Sequence, residues 1–233
     1  MKIALFGIAE IKLGKHNLKD PRLDEAHTLV EADKKTHAQA DVIGDDQLLD
    51  ADAILTSGDA KADLILKDLE FVETRLGRDP HPAERAALER IKGLLESERF
   101  LFNAGVSAED LQAVAAHSFY TTKPITVAAA GDLQNPEALL LRAFAEAGYI
   151  SFLTVGGKEN RAWPIRKGTT AWEAAGTIHS DIQKGFIRAE VISFADFSAA
   201  GGETQAKRAG KQRLELKTYV VQDYDVVNFR FNK

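Results

Sequence analysis

Gly148 to Phe197 reads GYISFLTVGGKENRAWPIRKGTTAWEAAGTIHSDIQKGFIRAEVISFADF, and Ala209 to Asn232 reads AGKQRLELKTYVVQDYDVVNFRFN. These two stretches decide the fold. Tyr149–Val155 is a short apolar and aromatic run closed by Gly156-Gly157, the pattern of a strand and its turn. Ala162–Arg166 is a second short strand and Thr170–Ile178 a helix. Phe186–Phe194 is another strand, and Glu203–Ala209 another helix. Tyr219–Val221 and Val226–Phe231 are closing strands joined by a tight turn at Gln222–Asp225. This order predicts a small α+β domain, with helices on one face of a mixed sheet.

Outward from it, toward the N-terminus, the texture is different. Lys2–Gly7 (KIALFG) and Ala51–Thr56 (ADAILT) are short apolar runs that end at Gly or Ser-Gly, as buried strands do. Asp20 before Pro21 is an N-cap followed by Pro at the first helical position, so a helix runs to about Val30. Ile65, Leu69, Val72 and Leu76 fall on one helical stripe. Gly77 and Asp79-Pro80-His81-Pro82 break it, and Leu88, Ile91 and Leu95 resume it in a second helix. Two such helices make an antiparallel hairpin. Ser107 caps a third helix, Pro124–Ala130 (PITVAAA) is a buried strand, and Asn135-Pro136 opens a helix to about Ala147. The expected division is an α/β domain over residues 1–149, with the hairpin inserted at about 59–119, and the α+β domain over 150–233.

The 233 residues are 45% hydrophobic and 28% charged, an ordinary globular composition. There is no cysteine, which excludes disulfides, a thiolate nucleophile and a Cys-based zinc site. No stretch approaches the roughly 20 apolar residues of a membrane span, and the N-terminus lacks a signal-peptide core. A cytoplasmic protein without a membrane partner is expected. From Ile150 onward there are 13 Lys and Arg against 9 Asp and Glu, a net of +4, while the whole chain carries −5. That asymmetry points to an anionic partner for the C-terminal part, or simply to two surfaces that differ.

The two stretches quoted first closely resemble the C-terminal part of the YchF, or Obg-like, ATPases, with AAGTIHSD and GFIRAEV the most diagnostic runs. The resemblance implies a TGS domain, a β-grasp fold also found in threonyl-tRNA synthetases and stringent-response enzymes. KDPRLDEAHTLVEADKK, DADAILTSGDAKADLILKDLEFVETRL and TTKPITVAAAG resemble family segments upstream, in the family's order. The first domain is therefore expected to be a reduced P-loop-GTPase-like α/β domain, with the hairpin as the family's coiled coil. The chain is shorter than the family by roughly a third.

Against that family, the chemistry looks removed. A phosphate loop needs G-x-x-x-x-G-K-[ST] followed by a helix, so that backbone N–H groups, the Lys and the helix dipole face the phosphates. Here Ala9 stands at the first Gly and His16 at the hydroxyl position, and Glu10 would face the phosphates. Gly14 and Lys15 survive as a vestigial nucleotide-binding pair, or as a chance pair in a strand-to-turn segment. A Walker-B-like aspartate has two registers, Asp41 of Asp41-Val-Ile-Gly44 or the following Asp45-Asp46. The family's base-reading Asn and Glu fall, ungapped, on Ala130 and Leu133, which cannot hydrogen-bond a base.

These losses predict a non-catalytic binding or regulatory protein that contacts a ribosome, RNA or a protein partner. No catalytic residue, metal site or cofactor is assigned. The alternative is a residual ATP- or GTP-binding protein, with Mg, or a weak NTPase. The candidate partner-binding residues are Arg161, Trp163, Arg166, Lys167, Lys184, Arg188, Lys211 and Arg213. Cations among aromatics suit RNA phosphates and unstacked bases, although Trp163 and Trp172 equally fit as packing anchors. His179 is read as a structural residue at a helix C-terminus.

Overall fold

A computed structural model describes residues Met1 to Asn232. The chain runs β1 (Lys2–Phe6), β2 (Gly14–Leu18), α1 (Pro21–Leu29), β3 (Lys34–Thr36), β4 (Ala38–Ile43), β5 (Ala53–Ser57), α2 (Lys61–Leu76), α3 (Pro82–Glu96), α4 (Ala108–Ala113), β6 (Ile125–Ala128) and α5 (Pro136–Glu146). It continues as β7 (Tyr149–Thr154), β8 (Glu159–Arg166), α6 (Ala171–Ile178), α7 (Ser180–Lys184), β9 (Phe186–Ile192), α8 (Phe194–Ala200), α9 (Glu203–Arg208), β10 (Arg213–Glu215) and β11 (Val226–Phe231). It divides into two compact units. Met1–His16 with Ala40–Ala147 form the first, and Asn17–Gln39 with Gly148–Lys233 the second. The chain passes into the second unit at Asn17, returns to the first at Ala40 and re-enters the second at Gly148, so residues 17–39 group with the C-terminal part.

In unit 1, β1 lies between β4 and β5, and β5 pairs with β6, all parallel. Ile3, Ala4, Leu5 and Phe6 are all buried, the continuous apolar run expected of a strand covered on both faces. Pro82 opens α3 after His81, whose ring accepts the Ala83 N–H. The stripe of α2 (Ile65, Leu69, Val72, Leu76) and that of α3 (Leu88, Ile91, Leu95) share one core cluster with Ala4, Phe6 and Ile54. Hence much of the helices' apolar surface is buried within the unit.

Glu84 of α3 ties this pair of helices together. Its carboxylate accepts from the Arg75 guanidinium at 2.6 and 2.9 Å and lies 2.8 Å from His117 Nε2. Phe71 stands edge-on to His117 and Phe119. The Arg75 hydrogen bonds, then that of His117, pull the Glu84 carboxyl down from an ordinary 4.5 to about 2. Because the folded pKa lies below the unfolded one, this stabilisation is full above about 4.5 and is lost as the pH falls toward about 2. Glu84→Gln is expected to flatten the acid-unfolding profile in that window, read by circular dichroism at fixed urea; an unchanged profile would contradict the assignment.

Unit 2 holds a six-stranded mixed sheet in the order β10-β9-β11-β7-β8-β3. One face carries Phe152, Ile165, Val191, Val227 and Phe229 against Ala171, Ala174 and Ala175 of α6. Side chains alternate along a strand, so Asn160 points to the face opposite Ile165. There its amide donates to Val30 O at the end of α1. Helices therefore cover both faces rather than one. The N-terminal helix is held by Arg22, which binds Asp20 through Nε and Nη2 and Asp223 through Nη1. The same guanidinium stacks 3.7 Å from the centre of the Tyr224 ring.

The predicted strand at Tyr219–Val221 is reduced to a single bridge, Thr170↔Val220. Its backbone is taken up by the start of α6 instead: Ala171 N donates to Tyr219 O and Val221 N to Thr169 O. Asp225 accepts from Tyr219 Oη and Gln222 N, which bends the segment into a turn.

Candidate functional site

Open parallel sheets bind ligands beyond the carboxyl ends of their strands. In unit 1 that place is a cleft of about 520 Å³ between the Gly7–Leu13 loop after β1 and Gly44-Asp45 after β4. Gly7 allows the turn. Its φ is +66°, and a Cβ there would meet Ala60 Cβ at 2.3 Å. Leu5, Ile8, Ile11 and Leu13 line the cleft together with the carboxylates of Glu10 and Asp45, and no Lys or Arg is among the lining residues.

The loop does not lead into a helix. Gly14, Lys15 and His16 lie in strand β2, Lys15 is exposed, and neither Gly14 nor Lys15 lines the cleft. Glu10 Oε2 accepts the Ala9 N–H at 3.0 Å, so the loop's own acid occupies an amide that would otherwise be available to an anion. His16 Nε2 lies 2.6 Å from Lys12 O, turned back on the loop. Of the two aspartate registers, Asp41 pairs with Lys2 at the beginning of β1, far along the strands from the cleft, whereas Asp45 lines it. The loop after β6 is also closed on itself. Asp132 accepts the Ala129 N–H and binds Arg142. The parts of a phosphate loop are thus not gathered at the cleft: no cation lines it, no helix starts from its loop, and His16 stands where the hydroxyl ligand would be. Among the described residues no cluster of three or more His, Cys, Asp or Glu is placed to hold a metal.

The candidate partner-binding residues of unit 2 do not form one patch. Arg161 stacks 3.9 Å from the Trp163 ring, and Trp163 donates through Nε1 to Thr154 and packs on the buried Phe152. Trp163 is thus a packing anchor with a cation above it. Arg166 lies over Tyr149, on the opposite side of the pleat. Lys211 is paired with Asp196 and Arg213 with Glu215. Arg188 in β9 stands across from Arg230, and Lys184 ends α7. Lys167 follows β8. His179 caps the start of α7 by accepting the Asp181 N–H.

A pocket missed in the sequence has Trp172, 44% exposed, beside Thr170, Lys217 and Thr218. Trp172 and Lys217 are distant in sequence and meet because Trp172 N donates to Lys217 O. No local pattern carries that pairing.

The YchF-GTPase_C family model, described as a protein of unknown function (DUF933), matches residues 149–232. The chain is 33% identical over 249 residues to the ribosome-binding ATPase YchF of Haemophilus influenzae, covering 80% of this chain and 67% of that protein. It is 50% identical over 96 residues to the ribosome-binding ATPase YchF of Bacillus subtilis, and there it spans only 26% of the relative. The Obg-like ATPase 1 of Danio rerio matches at 45% over 104 residues, again over 26% of its length. Among solved structures, that of the Schizosaccharomyces pombe YchF GTPase aligns with a TM-score of 0.76 at 17% identity, over 99% of this chain and 97% of that one, a likeness of fold. On the H. influenzae alignment, with the C-terminal model in agreement, this chain belongs to the YchF/Obg-like ATPase family.

Proposed function

We propose that this chain is a non-catalytic member of its family, a binding or regulatory module whose unit 2, read as a TGS-type β-grasp domain, contacts the ribosome. The observation that carries this is the course of the chain after the cleft loop: Gly14 and Lys15 enter a strand, where a phosphate site needs the start of a helix. Without an oriented anion cradle, positioning and charge stabilisation, the main sources of phosphoryl-transfer catalysis, are lost. The ribosome as partner rests on relatives named ribosome-binding ATPases. Counting residues 17–39, unit 2 has 17 Lys and Arg against 14 Asp and Glu, a net of +3 that suits an RNA-rich surface. A cytoplasmic setting follows from that partner, and no helix among the described residues is long and apolar enough to cross a membrane.

A second reading is a residual ATP- or GTP-binding protein. It is favoured by the cleft itself, still open at the strand ends with room for a ligand. For the leading reading, the chain is expected to co-sediment with ribosomes at low salt and to be released as salt rises. Absence from the ribosomal pellet at every salt concentration would overturn it.

A further inference from the structure

Among the described residues the end strand of the unit 2 sheet, β10, pairs with β9 alone, which leaves its outer edge open. An open edge is a template for another strand unless something blocks it. Here it is advertised. Leu214, at the centre of β10, is 59% exposed, and Leu216 just beyond it is 53% exposed.

The residues of β10 are self-complementary. Read antiparallel about a two-fold axis through Leu214, Arg213-Leu214-Glu215 sets Arg213 opposite the partner's Glu215 at both ends and Leu214 opposite the partner's Leu214 at the centre. In an antiparallel ladder the N–H and C=O groups of successive residues point to alternate sides. Whichever set β9 takes, the other faces the open edge and meets its own symmetry mate. Arg213 and Glu215 already share a face, with Arg213 Nε 3.0 Å from Glu215 Oε1. Pairing two copies extends that contact into an alternating cluster of four charges. Lys211, which approaches the edge just before β10, has its charge met by Asp196 at 3.0 Å.

We propose that β10 is an isologous interface through which two copies of this chain pair edge to edge. A three-residue strand with two exposed leucines gives a weak, concentration-dependent dimer rather than an obligate one.

Sedimentation velocity of the full chain over a wide concentration range tests this. A reversible monomer–dimer equilibrium is expected. R213E and E215R each place like charges opposite one another twice per dimer and should weaken it about tenfold. The E215R variant leaves Arg213 free to keep its hydrogen bond to Tyr219 Oη, so its effect reports the edge rather than the fold. The double swap R213E/E215R should restore the dimer, and an equimolar mixture of the two single variants should pair as well as the unaltered chain. A monomer at every concentration, or a dimer indifferent to both single reversals, would overturn the proposal.

Discussion

Asn160→Leu is expected to lower the midpoint of the tryptophan-fluorescence unfolding transition by about 10 °C. Asn160 is 0% exposed and uses its whole amide. Its Oδ1 accepts the Gly156 N–H at 2.7 Å, and its Nδ2 donates to Val30 O at 2.7 Å and faces His27 Nδ1 at 3.1 Å. One side chain thus fastens the β7–β8 turn to the end of α1. Leucine fills a similar volume but leaves three polar groups without their partner. Each unsatisfied buried group costs about 1 kcal/mol or more, so the sum is about 3 kcal/mol. The readout is specific, because both tryptophans of the chain, Trp163 and Trp172, belong to unit 2. A shift of no more than a degree or two would mean that α1 is not fastened there.

Asp68→Ala is expected to cost unit 1 about 2 kcal/mol. Asp68 is 1% exposed on α2, and its two oxygens accept the backbone N–H groups of Tyr120 and Thr121 at 2.9 and 2.8 Å. Removing the carboxylate strands both donors. Burial pushes this carboxyl above its ordinary 3.8, against the pull of the two N–H bonds. A raised folded pKa means that its contribution is greatest below about 3.8 and declines as the pH rises through the folded value. The variant should lose that component, and the amides of Tyr120 and Thr121 should exchange faster with solvent. Unchanged exchange at both would contradict the role assigned to Asp68.

What the sequence made legible follows from how local each cause is. The stripes of α2 and α3, the caps at Asp20 and Ser107, and the apolar runs of β1, β5 and β7 each depend on neighbours within one turn or one pleat, and they appear in the structure where they were read. β2 (GKHNL), β3 (KKT) and β10 (RLE) have no apolar run, and only their pairing makes them strands. The placement of residues 17–39 was likewise invisible, since Arg22 finds Asp223 201 positions away. In the cleft, the missing first Gly, hydroxyl and helix could be read from spacing, whereas the placement of Lys15 in β2, off the cleft, could not. The choice between Asp41 and Asp45 could not, because it depends on the register of β4 against β1. Of the cations picked out in the C-terminal part, the sequence could not say which were already engaged. Lys211 and Arg213 have acidic partners within unit 2, and Trp163 has a packing role.

The central claim is that the strand-end cleft no longer holds a nucleotide. Thermal shift and equilibrium binding with ATP and GTP, each with Mg²⁺, test it most directly. A ligand at tenfold its dissociation constant stabilises by about 1.4 kcal/mol, which a melting curve resolves. The prediction is no shift and no saturable binding for either nucleotide; a saturable stabilisation by ATP or GTP would contradict it.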